Sequence, residues 1–243
     1  ISKLKSKLLV AKKNNKIPKV LVVVHIAGTS ADMFQIKKLS NKYGFKIIED
    51  ASHCVGAKYN FHPVGSCKFS DLTVFSFHPV KIITTGEGGA ITTNQQKIAN
   101  KLKLLREHGI QKKHSKINNK IDGPWFYEQQ NLGFNFRLSD IHAILGISQI
   151  RKISKYLNLR QKIAIYYKKK LKHLPIKFQK INENFFSSYH LFIIRVEKKV
   201  RLSLFKYMRK NKILVNLHYI PIYKHVFYRK KFNFKKKYLK NSE

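Results

Sequence analysis

Two short clusters of polar residues have the types and spacing of a reactive site. The first is Glu49-Asp50-Ala51-Ser52-His53, which directly follows an apolar run. Ligands of open α/β sheets bind at the carboxyl ends of the strands, so Asp50 beside His53 is placed to hold a protonated heterocycle. The alternative is structural, with Asp50 capping the turn where its strand ends. Taken alone, the cluster favours the structural interpretation.

The second cluster surrounds Lys81 in the stretch SFHPVKIITTGEGG, residues 76–89. A lysine in partly apolar surroundings is available as an amine nucleophile. Nearby glycines permit tight turns and the close approach of a flat ligand. The alternative is an ordinary exposed lysine, because the chain holds 42 lysines. A reactive Lys81 is favoured by Ser76 before it, by the glycines after it and by Asp50 on the preceding strand.

The elements around these clusters predict an alternation of strands and helices. Val20–Ile26 predicts a strand buried on both faces, and Phe45–Asp50 predicts the next strand. The helix between them begins at an N-cap, either Ser30 or Asp32, and ends at Gly44. Such a unit is a βαβ crossover, which requires parallel pairing of its two strands.

The remaining chain predicts an α/β fold class: a mixed, mostly parallel sheet between helices, followed by a smaller C-terminal α+β domain. We expect residues 1–150 to belong to the large domain, and residues 151–243 to form a linking helix and the small domain. The elements expected after residue 70 are strands at 71–77 and 90–93, a helix at 94–106, a long helix from 139 to 174 that allows one break, strands at 188–196 and 213–217, and a helix at 201–211.

The composition is strongly basic, with 50 Lys+Arg against 12 Asp+Glu and a net charge of +38. Hydrophobic residues make up 43% of the chain, enough for a core, which excludes a wholly disordered polycation. Only eight of the basic residues are Arg, the residue that nucleic-acid readers prefer, and Lys is spread along the whole chain. We therefore expect no dedicated nucleic-acid partner, although nonspecific binding of polyanions remains an alternative function.

The cysteine content and the hydropathy of the sequence indicate where in the cell the protein is expected. Cys54 and Cys67 form no CxxC pair, so neither a disulfide framework nor a metal site is predicted, and both thiols are expected to be reduced in the cytoplasm. No run of 18 apolar residues occurs, so the sequence predicts no membrane-spanning helix.

Four blocks in the chain match a known family in type and order. They are EDASH (49–53), VFSFHPVKIITTGEGGAITT (74–93), LREHGI (105–110) and LGFNFRLSDIHAILG (132–146). The chain, over residues 18–220, resembles the DegT/DnrJ-type nucleotide-sugar aminotransferases, which are fold-type I enzymes dependent on pyridoxal 5′-phosphate (PLP). With HYIPI at 218–222, the resemblance implies amination of a UDP-linked 4-keto-6-deoxy sugar, with glutamate as donor, for pseudaminic acid or another surface glycan.

The resemblance also implies residue roles. Lys81 matches the lysine that binds the cofactor covalently and shuttles the proton, and Asp50 matches the carboxylate that pairs with the pyridine nitrogen. His53 matches the position beside the cofactor ring and its 3-oxygen, and Ser76 matches a hydroxyl that binds the phosphate. Asn135 matches an amide that reaches the phosphate held by the partner subunit, which implies a homodimer with shared active sites.

Three further residues are candidates for the substrate site. His218 and Tyr219 follow a predicted strand and would line the site for the sugar nucleotide, or else lie on a surface loop. His190, inside the predicted strand at 188–196, is interpreted as structural, with a diphosphate contact as the alternative.

Two departures from the family pattern matter. The Gly-Thr pair for the cofactor phosphate and the aromatic residue that stacks on the ring are not found in these 243 residues, so the resemblance predicts an internal fragment of such an enzyme.

Some relatives are PLP-dependent deoxysugar dehydratases with His at the lysine position. Lys81 argues against that alternative function.

Overall fold

The computed structural model of the chain describes residues 1–117 and 121–232 and divides the chain into two units. The first unit comprises residues 1–174 and 178–194, and the second comprises residues 175–177 and the chain from residue 195. The expected boundary after residue 150 lies within the helical part of the first unit, and the expected small domain extends beyond the described residues. The domain division of the whole protein remains a prediction.

The elements are numbered in chain order. The helices are α1 (Ser2–Lys13), α2 (Met33–Tyr43), α3 (Gln96–Arg106), α4 (Asp140–Arg151), α5 (Ile153–Leu171), α6 (Lys198–Lys210) and α7 (Val226–Phe232). The strands are β1 (Val20–Val24), β2 (Lys46–Asp50), β3 (Lys58–Tyr59), β4 (His62–Pro63), β5 (Leu72–Ser76), β6 (Gly89–Thr92), β7 (Ile110–Gln111), β8 (Glu128–Gln129), β9 (Lys177–Phe178), β10 (Phe185–Phe186) and β11 (Ile194–Arg195).

A four-stranded sheet organises the first unit. Its strand order is β1-β2-β5-β6, with β1, β2 and β5 parallel and β6 antiparallel to β5. In the register, Asp50 lies between Val24 of β1 and Val74 of β5. The predicted βαβ crossover and the α/β fold class with a mixed, mostly parallel sheet are confirmed.

Helix α2, the crossover helix, begins and ends as its sequence indicates. Asp32 is the N-cap, since its carboxylate accepts a hydrogen bond from the backbone N–H of Gln35 (3.2 Å). Gly44 ends the helix in the left-handed conformation, with φ 79°. Met33 and the apolar residues one turn apart on the same face pack against Ile47 of β2 in the main core cluster. The sheet and its crossover helix therefore share one core.

The prediction that β1 is buried on both faces is wrong for one face. Val20, Val22 and Val24 alternate along the strand and expose 44%, 57% and 56% of their surfaces. Val23, on the opposite face, is buried against α2. A continuous apolar run thus indicated the strand correctly but could not show which of its faces is covered.

Two of the later strands were predicted wrongly. Only Ile194–Arg195 of the predicted strand at 188–196 is extended and paired, and residues 213–217 form no strand. Within residues 188–193, hydrogen bonds to the turn after β1 and the positive φ of Tyr189 (44°) take the place of pairing with a neighbouring strand. The break that was allowed in the long helix falls at Lys152, between α4 and α5.

Candidate active site

The carboxyl edge of the sheet gathers the turns that leave β1, β2 and β5. The backbone N–H of His25 donates to the carbonyl of Asp50 (3.0 Å), which extends the pairing of β1 and β2 to their carboxyl ends. Asp50 is the last residue of β2 and Ser76 is the last residue of the neighbouring β5. Because parallel strands end at the same edge, the turns after these residues emerge side by side.

The Asp50 carboxylate is half-buried and oriented by the turn that follows it. Its Oδ1 accepts hydrogen bonds from the backbone N–H of Ser52 (3.1 Å) and from the Ser52 hydroxyl (2.6 Å). This is the capping contact that the structural interpretation predicts. A carboxylate has a second oxygen with acceptor capacity, so the capping contact and a functional role are compatible.

Lys81 is half-buried in the loop that joins β5 to β6. The two ends of the loop are joined by a hydrogen bond from the N–H of Phe77 to the carbonyl of Gly88 (2.8 Å). Ile83 is 1% exposed and belongs to an apolar cluster with Leu157 of α5. Apolar packing therefore holds the loop beside the end of β5, next to the strand that carries Asp50.

The His53 side chain is held from two directions. Its Nδ1 accepts a hydrogen bond from the backbone N–H of Ala27 (3.3 Å), in the turn after β1. The His190 ring lies against it, with ring centroids 4.3 Å apart and planes inclined by 35°. The Ser188 hydroxyl donates to the His53 carbonyl (3.2 Å). The structure thus brings two histidines together that are 137 residues apart in the sequence.

The segment Ser187–His190, called the 187–190 segment below, reaches this edge through distant hydrogen bonds. The N–H of Ser188 donates to the carbonyl of Gly28 (2.8 Å). Arg160 of α5 donates from Nη1 to the carbonyl of Tyr189 (2.9 Å). Hydrogen bonds from the turn after β1 and from α5 therefore fix where His190 lies.

Ser76 is the last residue of β5, and Asn135 lies in the segment between β8 and α4. The Ser76 hydroxyl accepts a hydrogen bond from the N–H of His78 (3.4 Å) at the start of the Lys81 loop. Asn135 is exposed and forms an isolated antiparallel bridge with Glu107. Ser76 therefore belongs to the sheet edge described above, whereas Asn135 belongs to an exposed surface.

His218 and Tyr219 belong to the second unit, and both are exposed. Their rings contact each other edge to face, with centroids 4.6 Å apart and planes inclined by 77°. Their role at a substrate site remains a prediction.

Sequence reasoning assigned no role to Glu49 and His25, which form a buried pair under the same edge. Nε2 of His25 lies 2.6 Å from Oε2 of Glu49, and both side chains are at most 6% exposed. The available signal was a histidine in the apolar run of β1 together with an acid on the adjacent strand. Without the register of those strands the signal could not be interpreted.

In the part of the chain that the structure describes, residues 1–117 and 121–232, no helix has the length and apolarity needed to cross a bilayer. In the same residues, no group of three or more His, Cys, Asp or Glu side chains is placed to bind a metal ion.

The fold is that of the PLP-dependent sugar aminotransferases. The chain superposes on Helicobacter pylori PseC, described as an aminotransferase involved in the biosynthesis of pseudoaminic acid, with a TM-score of 0.81 and 33% identity over 94% of this chain and 60% of that one. A putative sugar aminotransferase from Streptococcus pneumoniae in its PLP form gives a TM-score of 0.76 and 27% identity, over 87% and 57% of the two chains.

The chain belongs to the DegT/DnrJ/EryC1/StrS aminotransferase family, whose family model matches residues 4–243. A curated relative, the UDP-4-amino-4,6-dideoxy-N-acetyl-beta-L-altrosamine transaminase of Campylobacter jejuni serotype O:2, is 40% identical over 212 residues, which are 86% of this chain and 54% of that protein. The enzyme of the same name from Helicobacter pylori is 34% identical over 224 residues, 90% and 56% of the two proteins. The chain spans about half the length of the curated relatives it matches.

Proposed function

We propose that the chain carries the lysine and carboxylate half of a PLP site in a nucleotide-sugar aminotransferase. The whole protein would convert a UDP-linked 4-keto-6-deoxy sugar to the 4-amino sugar, with glutamate as amino donor, for pseudaminic acid or a related surface glycan. The observation that carries the proposal is the sheet edge at which Asp50, His53 and the Lys81 loop leave neighbouring strands. The names of the curated relatives support the choice of substrate.

The donor set at this edge fits PLP. The oriented Asp50 carboxylate can accept a hydrogen bond from the N–H of a pyridinium ring and so keep that ring protonated. His53, with Nδ1 occupied as an acceptor, can donate from Nε2 to a ring oxygen. The Ser76 hydroxyl can donate to a phosphate oxygen. When bound, PLP supplies an electron sink for the carbanion formed as the amino group is transferred.

The Lys81 amine has two roles in this proposal. As a nucleophilic amine, Nζ would hold PLP covalently at the sheet edge. As a free amine, Nζ would act as the base that takes a proton from one carbon and returns it to another. The packing of Ile83 against Leu157 keeps the loop in one place, which both roles require.

The experiment is reduction with borohydride in the presence of PLP, followed by peptide mapping. We expect visible absorption with added PLP and a fixed label on Lys81. Lys81→Ala should lose both signals, whereas Lys68→Ala, at an exposed lysine, should keep them. An unlabelled Lys81 in a chain that binds PLP would reject the assignment.

The product separates the aminotransferase from the dehydratase alternative. With the UDP-linked keto sugar and 15N-glutamate, an aminotransferase places 15N on the sugar, and a dehydratase yields a deoxy sugar that carries no 15N. Incorporation should depend on Lys81 in the complete enzyme.

We also propose a homodimer in which Asn135 reaches the phosphate bound by the second copy. Asn135 lies in an exposed apolar surface, and a surface of this kind marks an interface. Its apolar members include Leu132 (88% exposed), Phe136 (68%), Ile141 (81%) and Ile144 (67%). Ile141→Lys should lower the mass measured by sedimentation to that of one chain, whereas Leu9→Lys, at an exposed residue of α1, should not. An unchanged mass in Ile141→Lys would contradict this surface as the interface.

A cytoplasmic location and the absence of a dedicated nucleic-acid partner complete the proposal. Both cysteines are free and buried, as expected in a reducing compartment. If the +38 charge served nucleic acid, the chain would bind DNA tightly with a steep salt dependence. We expect weak binding at physiological salt, and tight binding there would favour the polyanion-binding alternative.

A further inference from the structure

A buried hydrogen-bond network lies beneath the turn that follows β1. Glu49 of β2 is its centre: Oε2 contacts Nε2 of His25 at 2.6 Å, and Oε1 accepts hydrogen bonds from the hydroxyls of Ser70 (2.5 Å) and Thr73 (3.0 Å). Burial alone would raise the pKa of Glu49, but the hydrogen bonds from these partners outweigh burial and hold it below its ordinary value. Glu49 is therefore a buried anion at neutral pH.

His25 connects this anion to the far end of the turn. Its Nδ1 accepts a hydrogen bond from the backbone N–H of Ala31 (3.2 Å). A ring nitrogen that accepts a hydrogen bond carries no proton, so the proton of the neutral ring is on Nε2 and is donated to Glu49. The carboxylate thus selects the tautomer that can also hold Ala31. Because the side chain of His25 is fully buried, water does not compete for either nitrogen.

The middle of the same turn contacts His53. Ala27 is in the left-handed region, with φ 60°, a conformation that L-residues adopt only when their surroundings hold them there. In this conformation its N–H points at Nδ1 of His53 (3.3 Å). The turn is tied at its start by His25 N–H to the Asp50 carbonyl and at its end by Ala31 to the His25 ring. The Ala27 N–H therefore lies within a turn whose far end is held by the His25 ring.

We propose that Glu49 and His25 are positioning residues that hold His53 as its Nε2–H tautomer. Glu49 keeps the proton of His25 on Nε2, His25 holds the turn closed through Ala31, and the turn directs the N–H of Ala27 at Nδ1 of His53. His53 is then left with a proton on Nε2, the nitrogen that can donate to the 3-oxygen of a bound PLP. The link to PLP rests on the proposed function. The assignment of the two tautomers rests only on the hydrogen bonds of His25 and His53.

The first test uses the unaltered chain without cofactor. In 15N-histidine-labelled protein at neutral pH, long-range 1H–15N spectra distinguish the two neutral tautomers and the doubly protonated ring. His53→Asn identifies the His53 signals, and His25→Asn identifies those of His25. We expect both rings to be neutral with the proton on Nε2. A proton on Nδ1 of either ring would overturn the proposal, whether or not the protein binds PLP.

The second test compares two buried carboxylates. Glu49→Gln should give mixed tautomers at His53 and weaken PLP binding about tenfold, the factor expected when one oriented hydrogen bond is lost. Asp71→Asn is the matched control, because Asp71 is also a buried carboxylate with a lowered pKa, but it accepts hydrogen bonds from Ile47 N–H and Gln95 Nε2 and pairs with Lys46. We expect Asp71→Asn to leave the His53 tautomer and PLP affinity unchanged.

The outcomes separate the two proposals. If Lys81 is labelled by PLP but Glu49→Gln changes neither the tautomer nor the affinity, the positioning role is overturned and the proposed function stands. Equal effects in Glu49→Gln and Asp71→Asn would also overturn the positioning role. If the tautomers are as expected but Lys81 is never labelled, the proposed function fails. If Glu49→Gln does not fold, the spectra of the unaltered chain decide.

Discussion

Gly28→Ala measures how strongly the 187–190 segment depends on the turn after β1. Gly28 has φ +99°, and a Cβ added there would lie 2.6 Å from the backbone nitrogen of Tyr189 and 2.8 Å from that of His190. Both contacts are with backbone, so rotation of a side chain cannot relieve them. The hydrogen bond from Ser188 N–H to the carbonyl of Gly28 would be strained by the same displacement.

Gly44→Ala provides a control for the conformational part of this cost. Gly44 also has a positive φ (+79°), but nothing lies within 4 Å of an added Cβ. The left-handed conformation costs an L-residue about 1–2 kcal/mol in either variant. Overpacking at Gly28 adds about 1–3 kcal/mol. Replacing Gly by Ala also makes the unfolded chain less flexible, which raises the free energy of unfolding. This increase is similar for both substitutions, so it cancels in the difference between the two variants. Gly28→Ala should therefore be the less stable variant by about 1–3 kcal/mol.

The assay is urea unfolding followed by circular dichroism, with the stability difference taken from the midpoints at a common slope. In the same variant, the NMR signals of His53 should shift, because His190 can no longer lie against its ring. Equal midpoints for Gly28→Ala and Gly44→Ala would refute the steric contact. A lower midpoint without any shift at His53 would refute the claim that this contact places His190.

Two further predictions concern ionisation. Because the pKa of Glu49 is lowered in the folded state, the stability that its charge contributes is present above its unfolded pKa and is lost as the pH falls through the folded value. The difference in unfolding free energy between the wild type and Glu49→Gln should therefore shrink as the pH falls below 4.5, the ordinary pKa of a glutamate, and a constant difference in urea titrations would contradict a charged Glu49. Burial raises the pKa of the Cys54 thiol well above its ordinary value. Cys54 should therefore resist iodoacetamide in the folded chain and react only in urea, and mass spectrometry showing native modification would contradict its burial.

Local patterns were sufficient for the elements that carry the site. The β-branched run of β1, a helix between an N-cap at Ser30 or Asp32 and its end at Gly44, and the strand ending in Asp50 were predictable because each depends on residues within a few positions of one another. The cluster around Lys81 was recognisable for the same reason. The family resemblance assigned Lys81, Asp50, His53, Ser76 and Asn135 their roles, and those roles remain predictions.

What the sequence determined by itself is the α/β fold class and the order in which its candidate reactive residues follow their strands. Tertiary structure alone decided that His190 lies against His53, that Glu49 is buried against His25, and that residues 188–193 do not form a strand. These contacts join residues that are between 24 and 160 positions apart. Periodicity and capping act within a turn or two of chain, whereas such contacts depend on which chain segments the folded sheet brings together.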